Sequence, residues 1–391
     1  MMKIAFICGS LEPGCDGVGD YTRRLAGELI RQGHAATLIA LCDIHHHKSL
    51  ATSQLDYEIE VPVLRLAAKL PVKERTVLAK EWISDFDPDF ISLQYVPFAF
   101  HRKGLPFGLG TQLAIIGDGR PWHIMFHELW VGMDKEAPKK HFGWGLVQQR
   151  LIKGLILKLN PSGIHTQTQL YLAQLKKIGF NAAHLPLFSN IPVVQRNGSL
   201  HAREQSMGGK KRISLVLFAS IQPGAPVKSF VQEVMQYAAK YDKKVALTFI
   251  GRCGAEQKVW TELCDAVGLK FDVLGEQSPE VISEVLSSAT YGIATTPLAQ
   301  IEKSGVVAAM HAHGLPVLCV ARPWTPRGIK DLKLPAGIIE YKEGILERCF
   351  NGSNCNIVNN DLSKVAMQFL CSLSIKEVTP PNILISKSVA I

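Results

Sequence analysis

Four short segments of the chain place residues able to do chemistry in loops. The first is Gly9-Ser-Leu-Glu-Pro-Gly14-Cys-Asp-Gly17-Val-Gly19-Asp-Tyr. Glycines there would let the backbone approach a ligand closely, and a following helix would offer free N–H groups and the positive end of its dipole. The order is G-x-x-G-x-G, whereas a dinucleotide site uses G-x-G-x-x-G. Asp43, ending the next apolar run, could still imitate a ribose-binding acid, so an NAD site stays open as an alternative. The plainer reading is a mobile loop with a helix cap at Asp20. The second segment is Trp122-His-Ile-Met-Phe-His127-Glu128-Leu-Trp130. His127 emerges where a strand should end, the place for an acid, base or hydrogen-bonding group. The third is Ala219-Ser220-Ile-Gln-Pro-Gly224-Ala-Pro-Val-Lys228. A lysine at a helix start beside a Gly-Pro loop can meet phosphate as a point charge, and a solvated surface lysine is the competing reading. The fourth runs from Glu302-Lys303-Ser304-Gly305-Val306 through Ala309-Met310 to His313-Gly314-Leu-Pro316-Val317. Ser304 can cap a helix whose first amides come from Gly305 and Val306, an anion seat with Lys303 alongside.

Such loops need elements to aim them. Short apolar runs (Lys3–Cys8, Ala35–Cys42, Phe90–Gln94, Trp122–His127, Gly163–Thr166, Ala183–Leu187) alternate with helical patterns such as Tyr21–Gln32. That alternation predicts parallel βαβ units with helices on both faces. A polar, glycine-containing stretch near 195–212 breaks the series. It then restarts with strands over Ile213–Ala219, Val245–Ile250, Phe271–Leu274, Tyr291–Thr295 and Pro316–Val320. Helices are predicted over Val227–Tyr241, Pro279–Ser288 and Gly305–His313. The expectation is an α/β chain of two Rossmann-like, doubly wound domains facing across a cleft. Residues 1–195 form the first domain, 196–212 a linker, 213–375 the second, and 376–391 a peripheral tail. Ligands in such folds sit outside the carboxyl ends of strands.

Composition narrows the class. The 391 residues are 47% hydrophobic and 20% charged, which excludes intrinsic disorder, collagen-like repeats and small disulfide scaffolds. A net charge of +9, spread over both halves, suits an anionic ligand or membrane surface and gives no nucleic-acid signature. Nine cysteines without a C-x-x-C pair suggest reduced thiols and no zinc site, so a cytoplasmic protein is expected. His45-His46-His47 cannot all converge on one metal and reads as an exposed loop. Residues 137–159 interleave Lys139, Lys140, Arg150, Lys153 and Lys158 with apolar residues. They read either as a buried helix with a solvated face or as a basic amphipathic surface meeting anionic lipid.

The segment Glu302–Val317, together with Gly17-Val-Gly19-Asp-Tyr and His127-Glu128, resembles the family 4 glycosyltransferases of GT-B fold, and the resemblance reaches nearly the whole chain. It implies a retaining enzyme that moves a hexose, by family habit glucose from UDP-glucose, to a glycan or lipid-linked acceptor without a metal or other cofactor. It implies that Gly17 and Gly19 lie near the diphosphate and acceptor, and that His127 bonds the transferred sugar. Lys228 would bind the diphosphate, Glu302 would hold sugar hydroxyls, and Gly305 and Val306 would give amides to phosphate. Gln277 lies where the family cradles the base. Two departures stand out. Ser220 or Ile221 occupies the place of the arginine usually paired with the lysine. The second family glutamate falls on Ala309 or Met310, which keeps a non-catalytic nucleotide-sugar binder as the alternative. The partners expected are the nucleotide-sugar donor and the acceptor, with a peripheral contact at the inner face of the membrane.

Overall fold

The computed structural model describes residues 1–194, 212–330, 332–333, 335–352, 357 and 359–374. Most of the expected linker and the tail at 376–391 lie outside them. The chain forms two compact units. Among the described residues, one comprises Met1–Leu185, Arg327–Ile329 and Leu362–Ser374, and the other comprises those from Pro186 to Pro326 and from Lys330 to Asp361.

The first unit is an eight-stranded sheet of β1 (Lys3–Cys8), β2 (Ala35–Asp43), β3 (Leu50–Asp56), β4 (Ile59–Ala67), β5 (Phe90–Tyr95), β6 (Trp122–Phe126), β7 (Gly163–Thr166) and β8 (Ala183–His184). Its order is β3-β4-β2-β1-β5-β6-β7-β8. All neighbours are parallel except β3 with β4. Ile4 to Cys8 on β1 are fully buried, as expected of a strand covered on both faces. The hairpin β3–β4 was not expected. Its outer strand is polar and mostly exposed, so neither alternation nor an apolar run marks it. The expected strand Ala183–Leu187 shrinks to two residues because Pro186, lacking an N–H, cannot extend the ladder.

Residues 362–374, expected in the second domain, form the helix Leu362–Ser374, which packs on the first unit instead. Val365, Ala366, Phe369 and Leu373 form its buried stripe, and the Phe369 ring lies 5.8 Å from Phe6 and 5.0 Å from His123.

The second unit holds β9 (Arg212–Phe218), β10 (Lys244–Ile250), β11 (Lys270–Gly275), β12 (Tyr291–Ala294), β13 (Val317–Cys319) and β14 (Ile338–Glu340). The order is β11-β10-β9-β12-β13-β14, parallel throughout. One face packs Leu215, Phe230, Phe249 and Trp260. The other packs Val216, Ile250, Met310 and Val317. Both sheets reverse direction of growth once, between β1 and β5 in the first and between β9 and β12 in the second. Those reversals open crevices at the carboxyl ends of the strands.

Candidate functional site

At the β1/β5 reversal the loop Gly9–Asp16 is anchored through Leu11 and Glu12. Arg65 on β4 donates to Asp43 (2.7 Å) and to Glu12 (2.6 Å). Asp43 also accepts from the amides of Leu11 (3.4 Å) and His45 (3.0 Å). A Cβ on Gly9 would come within 2.5 Å of Ala99, which follows β5, so the two loops touch there. Burial would raise the Asp43 pKa, yet Arg65 and the two amides outweigh it and hold it below the usual value. This buried, clamped carboxylate is a loop anchor and does not reach toward a ribose. The NAD reading loses its acidic residue.

The helix Gly17–Arg31 is capped by Asp16, a correction to the expected cap at Asp20. Asp16 Oδ1 accepts the amides of Val18 (2.9 Å) and Gly19 (3.3 Å). Gly19 is buried, and a Cβ there would stand 2.7 Å from the Ser10 carbonyl oxygen. Its role is close packing of helix against loop. Gly17 faces open space, with nothing within 4 Å of a Cβ position.

His127, just beyond β6, comes to this helix through Tyr21, whose ring meets it edge-on at 4.9 Å. Behind it runs a buried polar chain that sequence reading missed. His127 Nε2 donates to Gln94 Oε1 (2.8 Å), and Gln94 Nε2 donates to Ser92 Oγ (2.8 Å). Ser92 Oγ then meets His123 Nδ1 (2.8 Å), and His123 Nε2 meets His165 Nδ1 (2.8 Å). Since an amide oxygen only accepts, Gln94 fixes the hydrogen of His127 on Nε2 and leaves Nδ1 as the ring's acceptor. Ser92 and Gln94 on β5, His123 on β6 with His127 just beyond it, and His165 on β7 with Gln167 just beyond it recur at even spacings, so they share one face. Burial pushes the His127 pKa down to about 4, against a smaller opposing hydrogen bond that the ring gives to Gln167. The ring is therefore neutral near pH 7. The buried Gln167 Nε2 has no hydrogen-bond partner among the described residues. A polar ligand at His127 would satisfy it.

At the β9/β12 reversal two further loops meet. Gln222 N donates to Thr295 Oγ1 (2.8 Å), tying the loop after β9 to the loop after β12. Ala219 turns the chain out of β9 at φ 57°, a left-handed conformation costly for a residue with a Cβ. Ser220 follows, exposed. Lys228 lies in the first turn of the helix Val227–Lys240, exposed and without an ion pair among the described residues. Beside Gly224 (φ 83°) stands Arg322, from beyond β13, whose Cβ is 3.4 Å from where a Gly224 Cβ would lie. The sequence gap of nearly a hundred residues hid this neighbour of the Lys228 loop.

After β12, Glu302 and Lys303 end a short 3-10 turn, Leu298–Lys303, both half-buried. Ser304 caps the helix Gly305–Ala312 as expected, its Oγ accepting from Val307 N. The amides of Gly305 and Val306 have no hydrogen-bond partner among the described residues and lie at the positive end of the helix. Ala309 and Met310 both point into the core, with Met310 Sδ packed on Gly292 of β12. Neither position would present a carboxylate to solvent. Gln277 is exposed after the edge strand β11 and folds back to donate to Leu274 O (2.7 Å). It lies two strands from β9. Thus Gly17 and His127 lie on loops of the first unit, and Ser220, Lys228 and Glu302–Val306 on loops of the second.

No protein-family model matches the chain, and no curated protein does. Solved structures do. HepE from Anabaena in complex with UDP superposes with a TM-score of 0.61 at 14% identity, over 95% of this chain and 100% of that one. The E. coli trehalose-6-phosphate structure bound with UDP-2-fluoro glucose gives 0.57 at 11%, over 97% and 100%. The catalytic domain of starch synthase IV from Arabidopsis thaliana, bound to ADP and acarbose, gives 0.51 at 14%, over 96% and 99%. With two doubly wound, predominantly parallel sheets in this order, the chain has the GT-B fold.

Proposed function

We propose that the protein is a retaining glycosyltransferase, of the family 4 type, that moves glucose from UDP-glucose to a glycan or lipid-linked acceptor. The observation that carries this reading is the anion seat at the β9/β12 reversal: Lys228 without an ion pair, and the amides of Gly305 and Val306 without a hydrogen-bond partner, among the described residues. HepE, of the same fold, has been crystallised with UDP and glucose and with UDP-glucose.

In this reaction the bond from the anomeric carbon to the diphosphate oxygen breaks, and a bond to the acceptor oxygen forms on the same face. The acceptor proton passes to the departing phosphate oxygen. Charge builds on the diphosphate, so the dominant catalytic contribution is electrostatic. Lys228, Lys303 and the Gly305 and Val306 amides supply it, with Ser304 and Ser220 as flanking hydroxyls. Arg322 beside Gly224 takes the part of the arginine that Ser220 and Ile221 replace. His127, neutral and oriented by Gln94, accepts from a hydroxyl of the transferred sugar, and Gln167 donates to it. Glu302 holds further sugar hydroxyls, Gly17 gives room for the ligand, and Gln277 flanks the base. No metal is required.

The inward-facing Ala309 and Met310 favour a second reading, a sugar-nucleotide binder without turnover, since the ribose then lacks its family carboxylate. Release of UDP from UDP-glucose, assayed with glycan and lipid-linked acceptors, separates the two. Turnover supports the transferase; tight binding with none supports the binder.

A further inference from the structure

The helix Lys139–Leu159 contains no Asp or Glu in its 21 residues. Its inner side is buried through Gly145, Gln148, Ile152, Leu155 and Ile156. Its outer side carries Lys139, Phe142, Leu146, Arg150, Lys153 and Leu157, spaced three or four residues apart and so aligned in one stripe. A solvated helix face is normally polar. Here Phe142, Leu146 and Leu157 are 41%, 38% and 66% exposed, the first two lying between Lys139 and Arg150 and the third following Lys153. The adjoining helix Leu109–Gly117 also lacks acids and exposes Ile115, and Phe107 is exposed just before it. Between the two helices lies a cavity of about 270 Å³, walled by Arg150 and Lys158 on one side and by residues 108–111 on the other. Of the two readings open in the sequence, the helix thus has the buried side of one and the basic, apolar surface of the other.

We propose that this face docks on an anionic phospholipid bilayer. The apolar side chains enter the boundary between headgroups and acyl chains, the cations meet lipid phosphate, and the cavity receives one headgroup. The mixture of cations and exposed apolar side chains on one stripe decides the partner. Protein interfaces are depleted of lysine at their centres, whereas an interfacial helix combines Lys/Arg with Leu and aromatic residues on the face it buries and around it. The inference is independent of the donor reading, because none of these residues belongs to the second unit.

Co-sedimentation of the full chain with vesicles tests it. Binding is expected to vesicles of phosphatidylcholine mixed with phosphatidylglycerol and not to phosphatidylcholine alone. Raising salt to about 1 M, where the screening length falls to about 3 Å, is expected to weaken it. Each cation near such a surface is worth about fivefold in partitioning, so the triple variant Lys139→Gln, Arg150→Gln, Lys153→Gln is expected to lose roughly a hundredfold. Leu157→Asp is expected to weaken binding separately. Both variants change exposed positions, and unchanged circular dichroism and UDP binding would show that each is folded. No binding to anionic vesicles, equal binding to neutral ones, or undiminished binding by the triple variant would overturn the proposal.

Discussion

The buried histidines make the protein acid-sensitive over a definite interval. His127 and His165 each have their pKa pushed down by burial, from 6.5 to about 4. His123 is also held well below its usual value, chiefly by burial and then by His165 and His127. Between those values the unfolded chain binds protons that the native chain refuses, so stability is complete above pH 6.5 and falls as the pH drops toward 4. At pH 5 each ring with this shift has lost about 2 kcal/mol, so His127 and His165 together remove about 4 kcal/mol, a large share of a typical 5–15 kcal/mol total. Urea unfolding followed by tryptophan fluorescence at pH 7.5, 6 and 5 measures it. The expected result is a midpoint that falls steeply below pH 6.5, with a shallower slope in His165→Gln. A flat profile from pH 7.5 to 5 would show that these rings are solvated or charged in the native state, and would remove the neutral His127 from the account.

Ser92→Ala takes away the acceptor of Gln94 and the partner of His123 Nδ1, leaving buried polar groups that cost roughly 1–3 kcal/mol each. Chemical denaturation should register that loss, and the 15N shifts of His127 should show a mixture of tautomers; a single unchanged tautomer would refute the orienting role of Gln94. His127→Ala is expected to lower kcat strongly while UDP affinity, measured by calorimetry, stays within a few-fold; an equal loss of UDP binding would move His127 out of the sugar site. Arg322→Ala is expected to weaken UDP binding about tenfold through a lost charge-assisted contact, and an unchanged Kd would return it to the surface. Activity is expected to survive EDTA, and loss restored by Mg²⁺ or Mn²⁺ would contradict a metal-free mechanism.

Much of the fold is written in the sequence because buried parallel strands need continuous apolar runs. Lys3–Cys8 and Ala35–Asp43 are such runs, and the breaks at Gly33 and Gly314 end helices before strands. The polar edge strand Leu50–Asp56 carries no such mark. The helix Leu362–Ser374 shows its amphipathic stripe, but a stripe does not say which of two sheets it will cover. In the first loop, Asp16 and Asp20 flank the same glycines, and only the backbone shows that the helix begins at Gly17. The chain behind His127 did leave a signal, polar residues at alternate positions in otherwise apolar strands, as in Ser92-Leu-Gln94 and His165-Thr-Gln167. Arg322 left none. Its approach to Gly224 depends on the order of strands in the sheet, which local spacing does not encode.

The central claim is that a diphosphate is held at the β9/β12 reversal, and Lys228 is the residue that tests it. A charge-assisted contact to phosphate is worth roughly 1.5–3 kcal/mol, and about 1.4 kcal/mol is tenfold in affinity, so Lys228→Ala should weaken UDP binding by one to two orders of magnitude. Isothermal titration of wild type and variant with UDP and with uridine is the measurement. The account predicts a large loss for UDP and none for uridine, which lacks the phosphates. Equal UDP affinity in the two proteins, or no UDP binding by the wild type, would contradict it.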